Sequence, residues 1–289
     1  MRLPLGLLLA SFVSGLLSVV AALLAMPGAS LQYGVVMLVV LLGYVVVAGR
    51  AVRRVRWALI VGIGLLAVVV AMRLFWHQER VGEAGLLTYG QLGDAAMLSR
   101  WREMIDRERL AAVGLLLGVL CLAAGVLALP ARGRTRRGVV TTLLALLLLA
   151  GFGPSVALGF GRYPLFDLLG TVWPALLGAL VAMAALALSG RRADRRWLLP
   201  VGSLLLTVAA VGAYTDLAAA WSGWWMLANP RDDAFLQVGV AVSTSREGFP
   251  QVSSAVEAAI ALAGPGLVAV GALHSSREAD PRQADARQP

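Results

Sequence analysis

The chain has 289 residues, is 59% hydrophobic and only 14% charged, and carries a formal charge of +9. A soluble domain of this length cannot hide so much apolar surface in one core, so lipid is the expected solvent for much of it. The basic residues, all arginine, form short clusters between apolar runs, which argues against a nucleic-acid partner. The lone Cys121 excludes a disulfide framework or a cysteine-based metal site within one chain.

A helix needs about 20 apolar residues to cross a hydrocarbon core about 30 Å thick. Runs of that kind lie near 3–26, 32–49, 57–76, 110–130, 138–159, 168–189, 197–220 and 255–274. The first has Arg2 before it and Gly28, Ala29 and Ser30 behind it, as a signal peptide would. Its apolar stretch exceeds the usual signal core of about 7–15 residues, so a retained span is expected. The sequence therefore predicts an all-α polytopic membrane protein with eight transmembrane helices.

Arginine sets the expected sidedness. Arg50, Arg53, Arg54 and Arg56 lie between spans two and three, Arg132, Arg134, Arg136 and Arg137 between four and five, and Arg191, Arg192, Arg195 and Arg196 between six and seven. Every second connection is thus strongly basic and shares one side with both termini. The positive-inside rule makes that side cytoplasmic, in a plasma (inner) membrane. The remaining connections mix signs, with Glu79, Glu83, Asp94, Glu103, Asp106 and Glu108 in 77–109, and Asp232, Asp233 and Glu247 in 221–254. Tryptophan agrees: Trp57 and Trp197 mark the cytoplasmic boundary, and Trp76, Trp173, Trp221, Trp224 and Trp225 the outer one.

Two membrane halves, 1–130 and 131–274, share one plan and precede a polar tail, 275–289, expected to be a disordered cytoplasmic segment. Each half has a short outer turn, an arginine cluster, a span opening with Trp, and an outer segment before its last span. Trp57 and Gly62 match Trp197 and Gly202 at one common offset. Four spans is an even number, so duplicated halves would be parallel repeats.

The segment 94–109 predicts an amphipathic helix. Leu98, Trp101 and Ile105 share a face with Met97 and Met104 beside them, and the pairs Glu103–Arg107 and Arg102–Asp106 fall at i,i+4. Such a helix lies flat on the outer leaflet, covers a protein partner, or simply leads into span four. The second outer segment, 221–254, with Asn229-Pro230 and Ser243-Thr244-Ser245, reads as turn and loop and is the other possible partner surface.

Helix breaks concentrate in the second half, where Pro154, Pro174, Pro200 and Pro265 fall within or near spans. The candidate breaks are Gly153-Pro154, following Gly151-Phe152, and Gly264-Pro265-Gly266. Each interior proline removes a helical hydrogen bond, and freed carbonyls in lipid need protein or water, so a break either lines a cavity or shapes packing. Gly114 and Gly118 form one GxxxG in span four, open to contact within or between chains.

Arg73, Asp167, Asp216 and Glu257 fall near the outer ends of spans three, six, seven and eight and form a candidate outer polar cluster. No charge lies at a predicted midplane, which weighs against ion-coupled transport. His77 and His274 lie one membrane's width apart and cannot share a metal or triad. The eight-span plan resembles haem A synthases in outline, but the helix-borne histidines which that family needs are absent. No catalytic motif is present, so no enzyme activity, catalytic residue, cofactor or metal is expected.

Two functions fit these features. The first is a permease-like component for a hydrophobic or amphipathic substrate, with a path past Pro154 and Pro265 and any motor on a separate ATPase subunit. It requires the Gly264–Gly266 break to face a cavity that reaches the outer acids. The second is a non-transporting scaffold or assembly subunit of a cell-envelope complex, which predicts an exposed apolar stripe on 94–109 and no continuous cavity.

Overall fold

The computed structural model describes residues 2–49, 53–83, 95–131, 136–192, 197–229 and 250–278. Among the described residues eight helices follow in order: α1 (Arg2–Leu23), α2 (Pro27–Ala48), α3 (Arg53–Glu83), α4 (Ala95–Leu127), α5 (Arg136–Arg162), α6 (Leu165–Arg192), α7 (Leu198–Ala228) and α8 (Pro250–Glu278). Among the described residues there is no strand. All eight helices are long and apolar enough to cross a membrane. Arg50, Arg132, Arg134, Arg195, Arg196, Asp232, Asp233, Glu247, Pro230, Ser243, Thr244, Ser245 and the tail beyond Glu278 lie outside the described residues.

The α1–α2 turn shows how local chemistry sets the helix ends. Met26 N–H donates to Ala21 O at 2.9 Å and Ala25 N–H to Ala22 O at 3.1 Å. Those two bonds form a Schellman cap. Its left-handed position is held by Ala25, at φ 56°, where glycine is the usual occupant. Pro27 then opens α2 at a position where its missing N–H costs nothing.

At 1.5 Å per residue the 33 residues of α4 reach about 50 Å, well beyond a hydrocarbon core. Its polar first third is therefore part of the same helix, and of the three readings of 94–109 the structure has the lead-in to span four. Helices α5 and α8 likewise run through Pro154 and Pro265 as single elements. The candidate breaks are positions inside continuous helices.

Helix α2 packs between α1 and α3, α3 packs on α4, α4 on α6, α6 on α7, α7 on α8, and α8 returns to α1. That order closes a ring, with α4 also touching α7 and α8 across its interior. Helix α5 lies outside it on α6, touching α7 at its edge, and only 11% of its apolar window is buried. Two apolar cores result. One gathers α2, α3, the last third of α4, α7 and α8 around Leu38, Leu41, Leu59 and Ile63. The other gathers the front of α4 with α5, α6 and α7 around Val172, Ala179 and Tyr214. Both cores draw on residues from each side of the 130/131 boundary.

Candidate functional site

At the end of the bundle away from the arginine clusters, α3, α4, α7 and α8 bring charged residues together. Arg73 on α3 donates from Nη2 to Glu108 Oε2 on α4 at 2.9 Å. Asp216 on α7 lies within electrostatic range of Glu257 on α8, Arg73 and Glu108. Asp216 therefore feels two carboxylates and one guanidinium, and only Glu108 contacts that guanidinium directly. Of the four residues expected to converge, Arg73 and Glu257 lie within electrostatic range of Asp216. Asp167 does not join them. It is exposed in the first turn of α6, is not among the charges acting on Asp216, and its backbone carbonyl accepts the Thr171 hydroxyl at 3.2 Å.

Glu108 is a further member, not among the four candidates, because an amphipathic helix over 94–109 does not by itself say which neighbour Glu108 meets. The signal was spacing. Trp101, Ile105, Glu108 and Ala112 follow one another at i, i+4, i+7 and i+11, so Glu108 sits on the stripe that α4 turns inward.

That stripe is occupied within the chain. Ile105 is buried, and Trp101 is half-buried with its indole N–H donating to Ala220 O at 3.1 Å. Gly223 leaves room for the ring, since a Cβ there would stand 3.1 Å from Trp101 Cζ2. Around this contact lies an aromatic group in which Tyr163 meets Trp221 and Trp225 edge-on, each with centroids 5.3 Å apart. Arg102 lies over Trp224 and Arg107 over Trp76, as cation–π pairs do. Arg107 also pairs with Glu103 one turn back.

Glycines bring backbones into contact deeper in the bundle. A Cβ on Gly62 of α3 would lie 3.1 Å from Gly118 O of α4, and one on Gly118 would lie 3.3 Å from Gly62 O. The GxxxG of α4 is thus used against α3, with Gly114 facing Val69. Between α7 and α8, a Cβ on Gly202 would lie 2.7 Å from Val268 N and 3.0 Å from Gly264 O. The Gly264-Pro265-Gly266 position is therefore packed: Gly264 faces Leu206, Pro265 is buried, and Gly266 faces Met37. Pro154 is instead exposed on α5, where nothing lies within 4 Å of a Cβ on Gly151 or Gly153.

A cavity of about 10 Å³ lies between α4, α6, α7 and α8. That volume admits about one water. Ser203 lines it, is only 2% exposed, and its Oγ has no hydrogen-bond partner. In sequence this position is only one serine in an apolar run. Among the described residues no group of three or more His, Cys, Asp or Glu is placed to hold a metal ion.

Compared with protein families, curated proteins and solved structures, the chain matches none.

Proposed function

We propose that the chain is a non-transporting subunit of a cell-envelope membrane complex, seated in the plasma membrane with its arginine-bearing end and both termini cytoplasmic. The observation that carries this reading is the backbone contact at mid-helix in each half, Gly62 against Gly118 and Gly202 against Gly264. A substrate path past Pro265 needs space where those contacts lie, and a path past Pro154 needs a residue facing inward where this one faces out. A permease-like role keeps only the water-sized cavity in its favour.

The work of such a subunit falls to its extracytoplasmic end. There the charged group of Arg73, Glu108, Asp216 and Glu257 meets the aromatic boundary of Trp101, Trp221, Trp224 and Trp225. No catalytic step is assigned to it. The exposed apolar stripe on 94–109 that this reading predicts is not found, because Trp101 and Ile105 pack within the chain; the partner surface is instead the charged group at this end.

The test is purification in mild detergent through a C-terminal tag, with chemical cross-linking and mass spectrometry of what co-purifies. Envelope proteins cross-linked near Glu108 or Glu257, without a nucleotide-hydrolysing subunit, are the expected result. Stoichiometric recovery of a nucleotide-hydrolysing subunit would restore the permease reading.

A further inference from the structure

Two of the three arginine clusters meet at one corner of the bundle. Helices α5 and α6 are joined by the short turn at Tyr163-Pro164 and pack side by side, which brings the first turn of α5 beside the last turn of α6. The stretches 131–138 and 190–197, which flank those two turns, together hold eight arginines and one acid. That acid, Asp194, lies outside the described residues.

Close packing fixes the corner. A Cβ on Gly190 of α6 would meet Thr141 Oγ1 and would lie 2.7 Å from Arg137 O of α5. The backbones of α5 and α6 therefore touch at Arg137, and the Thr141 hydroxyl donates to the same carbonyl at 3.1 Å. From there Arg137 lies over the ring of Trp197, the residue that caps the start of α7, 5.4 Å from its centroid. Arg136 and Arg137 from α5, Arg191 from α6 and Trp197 before α7 thus surround one place. Arg136, Arg191 and Trp197 are exposed there, and Arg137 is half-buried. The cluster at 50–56 is built differently: Arg56 lies over Trp57, its own neighbour in α3, and that pairing bridges no two helices.

We propose that this corner is a binding site for the phosphate of an anionic phospholipid, taken from the leaflet at the arginine-bearing end. Guanidinium groups present paired donors that match phosphate oxygens, and the two stretches carry almost no acid to repel it. Indole rings settle at headgroup level in a bilayer, so Trp197 places the phosphate where lipids carry theirs. Basic pockets between membrane helices take headgroups of this class. A guanidinium already held over a ring gives up less freedom on binding than a freely moving one. The acyl chains need no pocket of their own, since Val139, Val140 and Leu143 of α5 are exposed beside the arginines. The positive-inside rule asks for arginine at this end, but not for a clamp drawn from α5, α6 and α7. The site rests on the membrane setting and is independent of whether the chain scaffolds or transports.

The test titrates the full chain in mild detergent with tetraoleoyl cardiolipin or dioleoyl phosphatidylcholine and measures bound lipid by native mass spectrometry. The first cardiolipin binds about tenfold more tightly than phosphatidylcholine, and inorganic phosphate at the same phosphate concentration does not displace it. Arg191→Gln, at an exposed position, weakens it about fivefold, whereas Arg53→Gln removes the same charge from the other cluster and weakens it less than about twofold. Trp197→Leu keeps an apolar side chain, removes the ring beneath Arg137 and weakens it about threefold. Equal losses for Arg191→Gln and Arg53→Gln would mean a diffuse attraction to the whole arginine-bearing end, and would overturn the proposal. Displacement by inorganic phosphate would overturn it too, as would phosphatidylcholine binding as tight as that of cardiolipin. Melting in lipid-free detergent, expected to match the parent chain for all three variants, separates lost binding from lost fold. The selectivity and competition results use the parent chain and stand whether or not a variant folds.

Discussion

The indole N–H of Trp101 donates to the carbonyl oxygen of Ala220 across 3.1 Å, tying the polar first third of α4 to α7. The two residues lie on different halves of the chain, and Gly223 makes room for the ring beside the bond. Replacing Trp101 with Phe keeps most of the ring contact and loses the bond, which costs about 1 kcal/mol. Replacing it with Ala also empties the site beside Gly223 and costs about 3 kcal/mol. Thermal melting in detergent separates the two. If Trp101→Ala melted like the parent chain, the front of α4 would not be docked on α7.

Much of the fold could be read from the sequence, because the requirement that decides it is simple: about 20 apolar residues in a row. All eight runs became helices at nearly the expected places. The residues that failed to announce themselves are those whose role depends on which way a helix faces. Pro154 and Pro265 look alike in sequence, yet Pro154 is exposed on the peripheral α5 and Pro265 is buried against neighbours. Glu108 is not singled out by the amphipathic pattern of 94–109, because its partner Arg73 is set by how α4 packs on α3. Ser203 is ordinary as a letter, and its place beside the water-sized cavity follows only from how α4, α6, α7 and α8 pack.

Ala25 gives a second prediction, this time about the backbone. At φ 56° it occupies the left-handed position of the cap that ends α1. An L-residue with a Cβ pays about 1 kcal/mol there, whereas glycine does not. Ala25→Gly therefore raises stability by up to about 1 kcal/mol, less the small entropic loss from a freer unfolded chain. The check is the melting temperature in one detergent; a fall would mean the turn does not hold this conformation.

Gly202 and Gly153 test the difference between contact and composition. A Cβ on Gly202 would meet Val268 N at 2.7 Å and Gly264 O at 3.0 Å, and both are backbone atoms that no rotamer change can move. Gly202→Ala should force α7 and α8 apart and destabilise by about 1–3 kcal/mol. Gly153 also lies within a helix but has nothing within 4 Å, so Gly153→Ala should be neutral or stabilise by about 0.5–1 kcal/mol. Opposite signs for the same substitution are the expected outcome. Similar shifts for both would remove the support for a backbone crossing at Gly202.

The charged group at the far end makes the last prediction, and its sign follows from counting neighbours. The side chains of Arg73 and Glu108 are 42% and 30% exposed, so water screens their 2.9 Å pair. A double-mutant cycle with Arg73→Gln and Glu108→Gln should give a coupling below about 1 kcal/mol that weakens as salt rises. Asp216 has two carboxylates and one guanidinium acting on it. Asp216→Asn therefore removes more repulsion than attraction and leaves stability unchanged or slightly higher. Arg73→Gln does the reverse, since it removes the cation that pairs with Glu108 and acts on Asp216. A loss of stability for Asp216→Asn equal to that for Arg73→Gln would mean that Asp216 is held by a favourable partner and feels no net repulsion.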